Sequence, residues 1–296
     1  MERYGRMARI FKNDKCLVKM INVTMTSFPG RIDLVPIAFK SFIEGQTLKA
    51  DRYILWLSKK EFKGEQKPEE LGLEQVTKLG VEILWCDEDS KIHIRHNSLK
   101  YWPEDYNFII DEDIQYPQNY TIEMMNAASK HPNCVINYFR IYEFFNGYTK
   151  HDLPGFSYPS FRNKFNGGLS LFPPDTFPQS AFKYESIRDM ICPLHDETWV
   201  NLFLTYEGGK VYGIHKKNWG AFPPLHSENR HTNLNETHSR KKEGERYSFD
   251  VIQFNRVLYV FPQLFKLYKK KSFYFYSFRD KDEIRKFKDY PIINNI

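Results

Sequence analysis

The chain has 296 residues and a mass of 35.5 kDa, with 41% hydrophobic, 17% aromatic and 27% charged residues and a formal net charge of +6. That apolar content supports a sizeable core and excludes a disordered or collagen-like chain, and no run approaches the roughly 20 apolar residues of a membrane-spanning helix. The charge surplus sits at one end: residues 256–296 hold ten Lys/Arg against four Asp/Glu, while the other 255 residues hold 33 of each sign. A body without net charge argues against a nucleic-acid-binding core, so no nucleic-acid partner is expected. The first 19 residues carry Arg3, Arg6, Arg9, Lys12, Lys15 and Lys19 without a long apolar stretch. No secretory signal is legible there, and a cytoplasmic location is expected. Cys16, Cys86, Cys134 and Cys192 lie far apart with no C-x-x-C pair, which points to free buried thiols rather than a disulfide framework or zinc cage.

In chain order, Lys19–Thr26 reads as a β-strand that ends in the turn cluster Ser27, Phe28, Pro29, Gly30. Asp33 is placed to cap a helix over Leu34–Glu44, with Ile37, Phe39, Phe42 and Ile43 apolar and Gly45 as the stop. Tyr53–Leu57 (YILWL) lacks alternation, as a strand buried on both faces does. A helix over Glu69–Leu79, a strand over Val81–Trp85 and a helix over Lys91–Tyr101 follow, then a buried strand over Tyr106–Ile110. Tyr120–Lys130 reads as a helix and Cys134–Phe139 as a strand. This alternation predicts an α/β fold with a mostly parallel sheet. Beyond Thr149 the rhythm changes: His151–Ser170 reads as loops and short strands, Asp196–Tyr206 as a helix with Trp199, Val200, Phe203 and Leu204 on one face, and Lys210–Ile214 as a strand. His226–Arg246 is a long polar stretch expected to be mobile or ordered by a ligand.

The sharpest chemical feature is Asp111-Glu112-Asp113, directly after a buried strand. Open α/β sheets bind ligands beyond the carboxyl ends of their strands, and a hard divalent cation relieves the mutual repulsion of clustered carboxylates. The residues alone leave a second reading open, an acidic turn that caps the next helix. Thr26, Ser27 and Arg31 after the first strand, and Leu57 and Ser58 at the end of the second, lie at the same sheet edge. Hydroxyls there suit a base or ribose and an arginine suits phosphate, although ordinary turn chemistry explains the same residues.

The runs VTMTSFPGRI, IAFKSFIEGQTLKADRYILWLS, LGVEI and FIIDEDIQYP, in that order, resemble the bacterial GT-A glycosyltransferases that build surface polysaccharides, of the family 2 type. Those enzymes show a T-S-x-P-x-R ending on the first strand, a Q-T-x-x-P-D-x-I-x-L-W-L-S unit and a D-D-D-I-x-Y-P motif. Ala50 stands where the proline is usual and Glu112 replaces the middle aspartate. The resemblance covers about residues 20–140, and a second block spans FNGGLSLFPP and PLHDETWVNLF (Phe165 to Phe203). It implies a Rossmann-type sheet flanked by helices in a catalytic domain over 1–255, with a nucleotide-sugar half at about 18–140 and an acceptor half at about 141–255. The basic aromatic tail is then 256–296.

By the same resemblance, Asp111 and Asp113 hold manganese (Mn2+) or magnesium (Mg2+) bridging the diphosphate of a nucleotide-sugar donor. Thr26, Ser27, Arg31, Leu57, Ser58, Asp111 and Glu112 contact that donor. Gly167 and Gly168, where backbone closely approaches a ligand, form the sugar and acceptor pocket with Trp199, although a β-bulge explains the two glycines equally well. The pair Asp196-Glu197 opens a helix; helix-dipole acids explain it by themselves, whereas the resemblance makes one of them the base that deprotonates the acceptor hydroxyl. Glu197 is the expected base, with Asp196 the alternative. Among His195, His215, His226, His231 and His238, the late pair His226 and His231 are candidates to complete the metal shell, His226 first.

In the tail, Lys269-Lys270-Lys271 precedes Phe273, Tyr274, Phe275, Tyr276 and Phe278, a composition suited to an anionic membrane surface or to a helix that packs its aromatics on the body. The expected activity is transfer of a hexosyl or N-acetylhexosaminyl unit from a UDP-sugar, with inversion, to a glycan or glycolipid acceptor such as a lipooligosaccharide or capsule chain. The competing readings are a nucleotidyltransferase acting on sugar phosphates and a non-enzymatic membrane- or nucleic-acid-binding module.

Overall fold

A computed structural model of the chain describes residues 19–139, 141–144, 148–151, 167–215, 222–225, 249–264, 287–294 and 296. The main sheet comprises β1 (Ile21–Thr26), β2 (Arg52–Ser58), β3 (Val81–Cys86), β4 (Tyr106–Ile110), β5 (Cys134–Phe139), β8 (Leu169–Phe172) and β9 (Lys210–His215). A hairpin of β6 (Ile141–Phe144) and β7 (Tyr148–His151) stands apart from it. The order across the sheet is β3-β2-β1-β4-β8-β5-β9, and every neighbouring pair is parallel except those that β8 makes with β4 and β5. The expected mostly parallel α/β sheet is therefore present, and β4 and β5 carry the limits read from the sequence.

Several strands feed cores on both faces of the sheet. On β4, Phe108 and Ile110 pack with Val23, Met25, Phe39 and Phe42 on one side, while Ile109 faces Phe172, Trp199 and Phe203 on the other. Such two-sided burial is why these strands read as unbroken apolar runs. The first side is covered by α1 (Val35–Gly45) and α4 (Tyr120–Lys130), and the second by α7 (Asp196–Tyr206) and α8 (Phe249–Val260).

Several local expectations need correction. Asp33 does not cap α1: a 3-10 turn over Ile32–Leu34 precedes the helix, Leu34 holds the cap position without a side-chain bond, and Pro36 supplies the preset backbone angle of the first turn. The helix expected over Glu69–Leu79 shrinks to α2 (Glu74–Lys78), because Gly72 at φ +70° takes a left-handed conformation that ends any earlier helical turn. Lys91–Tyr101 begins as a 3-10 helix over Lys91–His96 and continues as α3 (Asn97–Tyr101). Short helices α5 (Ser180–Lys183) and α6 (Glu185–Ile191), which the sequence reading passed over, lead into α7.

The boundary expected at 255/256 falls inside α8, so the chain beyond it is not an appendage at its start. Val257, Leu258, Val260, Phe261 and Leu264 are buried against Trp199 and Phe203, and Tyr290, Ile293 and Ile296 pack on the same cluster. The lysine run 269–271 and the aromatics 273–278 lie outside the described residues. No described helix is long and apolar enough to cross a membrane. Cys86, Cys134 and Cys192 are buried free thiols, as expected; Cys16 lies outside the described residues.

Candidate active site

Parallel β1, β2 and β4 all end at one sheet edge, and β4 delivers Asp111 there. Antiparallel β8 starts at the same edge, with Ile110 opposite Leu169, so Gly167 and Gly168 arrive beside the acidic triplet although Gly168 lies 52 residues beyond Tyr116 in the chain. Gln46 helps to hold this edge: its Nε2 donates to the Pro117 carbonyl at 2.8 Å, and its Oε1 accepts the Thr121 N–H at 2.9 Å.

The three carboxylates are divided between two arginines. Arg31 Nη1 donates to Glu112 Oε1 at 3.1 Å and to Asp113 Oδ2 at 2.9 Å. Arg95 Nη1 donates to Asp111 Oδ1 at 2.5 Å, and its Nε and Nη2 both reach Asp196 Oδ2, at 3.0 and 2.6 Å. Arg95, with a side chain only 4% exposed, thus joins the end of β4 to the first residue of α7. Burial opposes the charge on both arginines, yet the facing carboxylates outweigh it and raise both pKa values.

Burial raises the pKa of Asp111; Arg95 counteracts this, and Asp113 and Asp196 reinforce it. Glu112 is likewise raised by burial and then by Asp113, against Arg31. Asp111, Glu112, Asp113 and Asp196 share the two guanidiniums of Arg31 and Arg95, and Asp111 Oδ2 and Asp113 Oδ1 accept no hydrogen bond among the described residues. Oxygen donors with surplus negative charge suit a hard divalent cation. The residues fit manganese or magnesium in that sense, although no three His, Cys, Asp or Glu among the described residues are gathered closely enough to form a metal site by themselves.

The second block meets the first here. Glu197 Oε1 accepts the Gly167 N–H at 3.1 Å, which brings the expected base to the glycine turn. Asp196 is 3% exposed and held by Arg95, so it faces the protein rather than a substrate. The glycines are also explained differently from the expectation. A Cβ on Gly167 would lie 2.0 Å from Arg95 Nη2, and one on Gly168 would lie 1.8 Å from Asp111 Oδ2. The close approach that demands glycine is to the protein's own side chains.

Tyr116, within the FIIDEDIQYP run, joins the site as well. Its hydroxyl accepts the Asp111 N–H and donates to the Gly168 carbonyl, both at 2.7 Å, which fastens the acidic loop to the glycine turn. Burial drives its pKa well above 10, so it stays a donor. Arg95 is marked only weakly in the sequence. Its only sequence signal is its place between His93 and His96 in a segment that read as an ordinary helix.

The remaining expected residues divide. Thr26 Oγ1 donates to the Trp56 carbonyl at 2.9 Å, and Ser27 Oγ is buried at the edge without a hydrogen-bond partner among the described residues. Leu57 is wholly within the core and Ser58 is fully buried, its hydroxyl receiving the Glu61 N–H at 3.4 Å, so neither presents a side chain to a donor. Trp199 is 1% exposed, its Nε1 donates to the Ala181 carbonyl, and it packs on Phe203 and Phe261; it is core, not a sugar platform. His195 pairs with Thr198 and His215 with Glu123. His226, His231 and His238 lie outside the described residues, but Leu225, the residue before His226, donates its N–H to the Asp113 carbonyl at 2.7 Å.

No protein-family model matches the chain, and no curated protein does. Among solved structures it is similar to GalNAc-T7 in complex with UDP, GalNAc and Mn2+, with a TM-score of 0.53 and 12% identity, over 95% of this chain and 59% of that one. It also matches residues 1–349 of S. aureus TarS in complex with UDP, with a TM-score of 0.43 and 10% identity, over 67% of this chain and 58% of that one. The chain thus spans somewhat under three-fifths of the length of each. The likeness to GalNAc-T7, together with the mixed seven-stranded sheet and the acidic loop at its carboxyl edge, identifies the fold as the GT-A fold of glycosyltransferases.

Proposed function

We infer that the chain is a glycosyltransferase that moves a hexosyl or N-acetylhexosaminyl group from a UDP-sugar to an acceptor hydroxyl. The observation that carries this is the meeting of Asp111, Glu112 and Asp113 with Glu197 at one sheet edge, through Arg95 and the Gly167-Gly168 turn. GalNAc-T7, which has this fold, holds UDP, GalNAc and Mn2+.

Asp113 and Asp111 would hold a manganese or magnesium ion, with His226 as the further ligand that follows Leu225. Bound there, the ion supplies positive charge for the departing diphosphate. Arg31 adds a second positive charge beside Asp113, and Ser27, whose buried hydroxyl has no partner among the described residues, offers a hydrogen bond to the nucleoside. Glu197 accepts the acceptor's proton as its oxygen attacks the anomeric carbon from the side opposite the leaving group, a course that inverts the centre. Asp196 does not share this task, since both its burial and its oxygen are committed to Arg95. A glycolipid or surface glycan is the proposed acceptor, and the aromatic, lysine-rich 266–278 region the proposed contact with anionic membrane.

Calorimetric titration with UDP in the presence and absence of manganese tests the donor site. The wild type is expected to bind UDP more tightly with manganese, and Asp113→Asn to lose that increment while melting as the wild type does. Equal UDP affinity with and without manganese in the wild type would remove the metal from this reading.

A further inference from the structure

We propose that Arg95 is a positioning residue that sets the distance between the donor-side carboxylates and the base. The proposal rests on the glycosyltransferase reading above and goes beyond it, because the Arg95 side chain is buried and serves through its two carboxylate partners.

The geometry assigns each part of this side chain a task. Nη1 reaches Asp111 on the loop after β4, while Nε and Nη2 converge on one oxygen of Asp196 at the start of α7. A guanidinium can do this because its donors lie in a rigid plane and point in more than one direction; an ammonium carries the same charge without the fork. The residue is itself held to the sheet, since its carbonyl accepts the Thr24 hydroxyl of β1 at 3.0 Å. Three segments distant in sequence, the end of β4, the 3-10 helix and the start of α7, are thereby held at one spacing.

That spacing reaches the base through the glycine turn. Gly167 lies against Arg95 so closely that a methyl group there would overlap Nη2, and the N–H of the same glycine donates to Glu197 Oε1. Gly168 lies as closely against the Asp111 carboxylate, and its carbonyl accepts the Tyr116 hydroxyl. Moving the guanidinium therefore moves Asp111, Asp196 and the Gly167 N–H together. The charge serves the same end, because without it Asp111 and Asp196 face each other as like charges.

Two variants of the full chain test this. Arg95→Lys keeps the charge and removes the fork; Gly167→Ala keeps Arg95 and places a methyl group where Nη2 now lies. Three quantities are read for each: thermal melting, affinity for UDP with manganese, and the rate of UDP release from whichever nucleotide-sugar the wild type turns over. A displacement of about 1 Å at reacting groups can lower a rate about 100-fold, so kcat should fall by that order in both variants, while UDP affinity falls by far less, because Asp111 shifts but Asp113 and Arg31 lie outside the Arg95 contacts. If both variants keep kcat within about threefold of wild type, Arg95 positions nothing and the proposal is wrong. It is equally wrong if kcat and UDP affinity fall together in step with the folded fraction, since that is the signature of a purely structural ion pair. A wild type that neither binds UDP nor turns over any nucleotide-sugar would instead overturn the glycosyltransferase reading, and this proposal with it; that result is visible before any variant is made.

Discussion

Asp196 and Glu197 are neighbours in the chain, and both are acids in the first turn of α7, yet their surroundings give them opposite tasks. Adjacent helical residues point about 100° apart, so only one of the pair can face an open site. Asp196 turns inward onto Arg95, whereas Glu197 stays partly exposed and meets the Gly167 N–H. Two amide substitutions separate these tasks. Glu197→Gln should lower sugar transfer by about 10²–10⁴-fold with an unchanged melting temperature, as loss of a general base does. Asp196→Asn should cost about 3–5 kcal/mol of stability, since it strips one partner from a buried ion pair. Steady-state transfer assays and thermal melts of the two variants check this; full transfer by Glu197→Gln would pass the base to another residue.

The 3-10 helix over Lys91–His96 shows what an element contributes beyond its residues. Its repeat of three residues per turn sets His93 and His96 on one side, with ring centroids 6.3 Å apart, and leaves Arg95 pointing to the acids. His93 Nε2 donates to the Cys192 carbonyl at 2.7 Å, which binds this helix to the chain just before α7. Burial first, and then Arg188, His96 and Arg95, lower the pKa of His93 well below 6.5; burial, Arg95 and Arg188 do the same for His96. Both rings therefore stay neutral in the folded state. The unfolded chain takes up protons below pH 6.5 that the folded chain refuses, so this contribution to stability is complete above 6.5 and declines as the pH falls.

Asp111 and Glu112 act in the opposite sense, because their raised values let the folded state keep protons that the unfolded state has lost. A comparison with His93→Gln removes that background. The wild type should be the more stable of the two at pH 7.5, and its advantage should shrink by up to about 1.4 kcal/mol per pH unit below 6.5. Urea denaturation of both proteins from pH 7.5 to 5 measures the gap; a constant gap would mean that His93 is not held neutral.

For the molecule as a whole, the question is where the body ends. The sequence reading separated a basic aromatic tail at residue 256, but α8 crosses that point and its later side chains fill the core behind α7. Phe261 touches Trp199, Phe203 and Tyr184 at ring-centroid distances of 5.8, 5.4 and 5.2 Å. Trp199 in turn stands in the helix that carries Asp196 and Glu197, so the C-terminal region supports the acid pair from behind. Phe261→Ala should therefore cost about 3–5 kcal/mol, read by thermal or urea denaturation. A loss below about 1 kcal/mol would place α8 outside the cooperative core.

The sequence by itself determined the elements whose signals are local. β4, β5 and α7 stand where their apolar patterns put them, because burial on two faces or along one helix stripe leaves a period that a linear chain displays. The acidic triplet was legible for the same reason, since it follows directly on a buried strand. Tertiary structure alone decided which of these residues meet. Arg95 is unremarkable in one dimension, and Asp196 and Gly167 carry no record of their partners; the antiparallel insertion of β8 beside β4 brings the glycine turn against Asp111, while the 3-10 helix and the start of α7 bring Arg95 and Asp196 there. The same holds for Trp199 and Leu57, whose types suited a ligand pocket as well as a core until packing enclosed them. A residue's chemical type is written in the chain, but its partners are set by contacts between segments far apart in sequence, and local pattern carries no record of those.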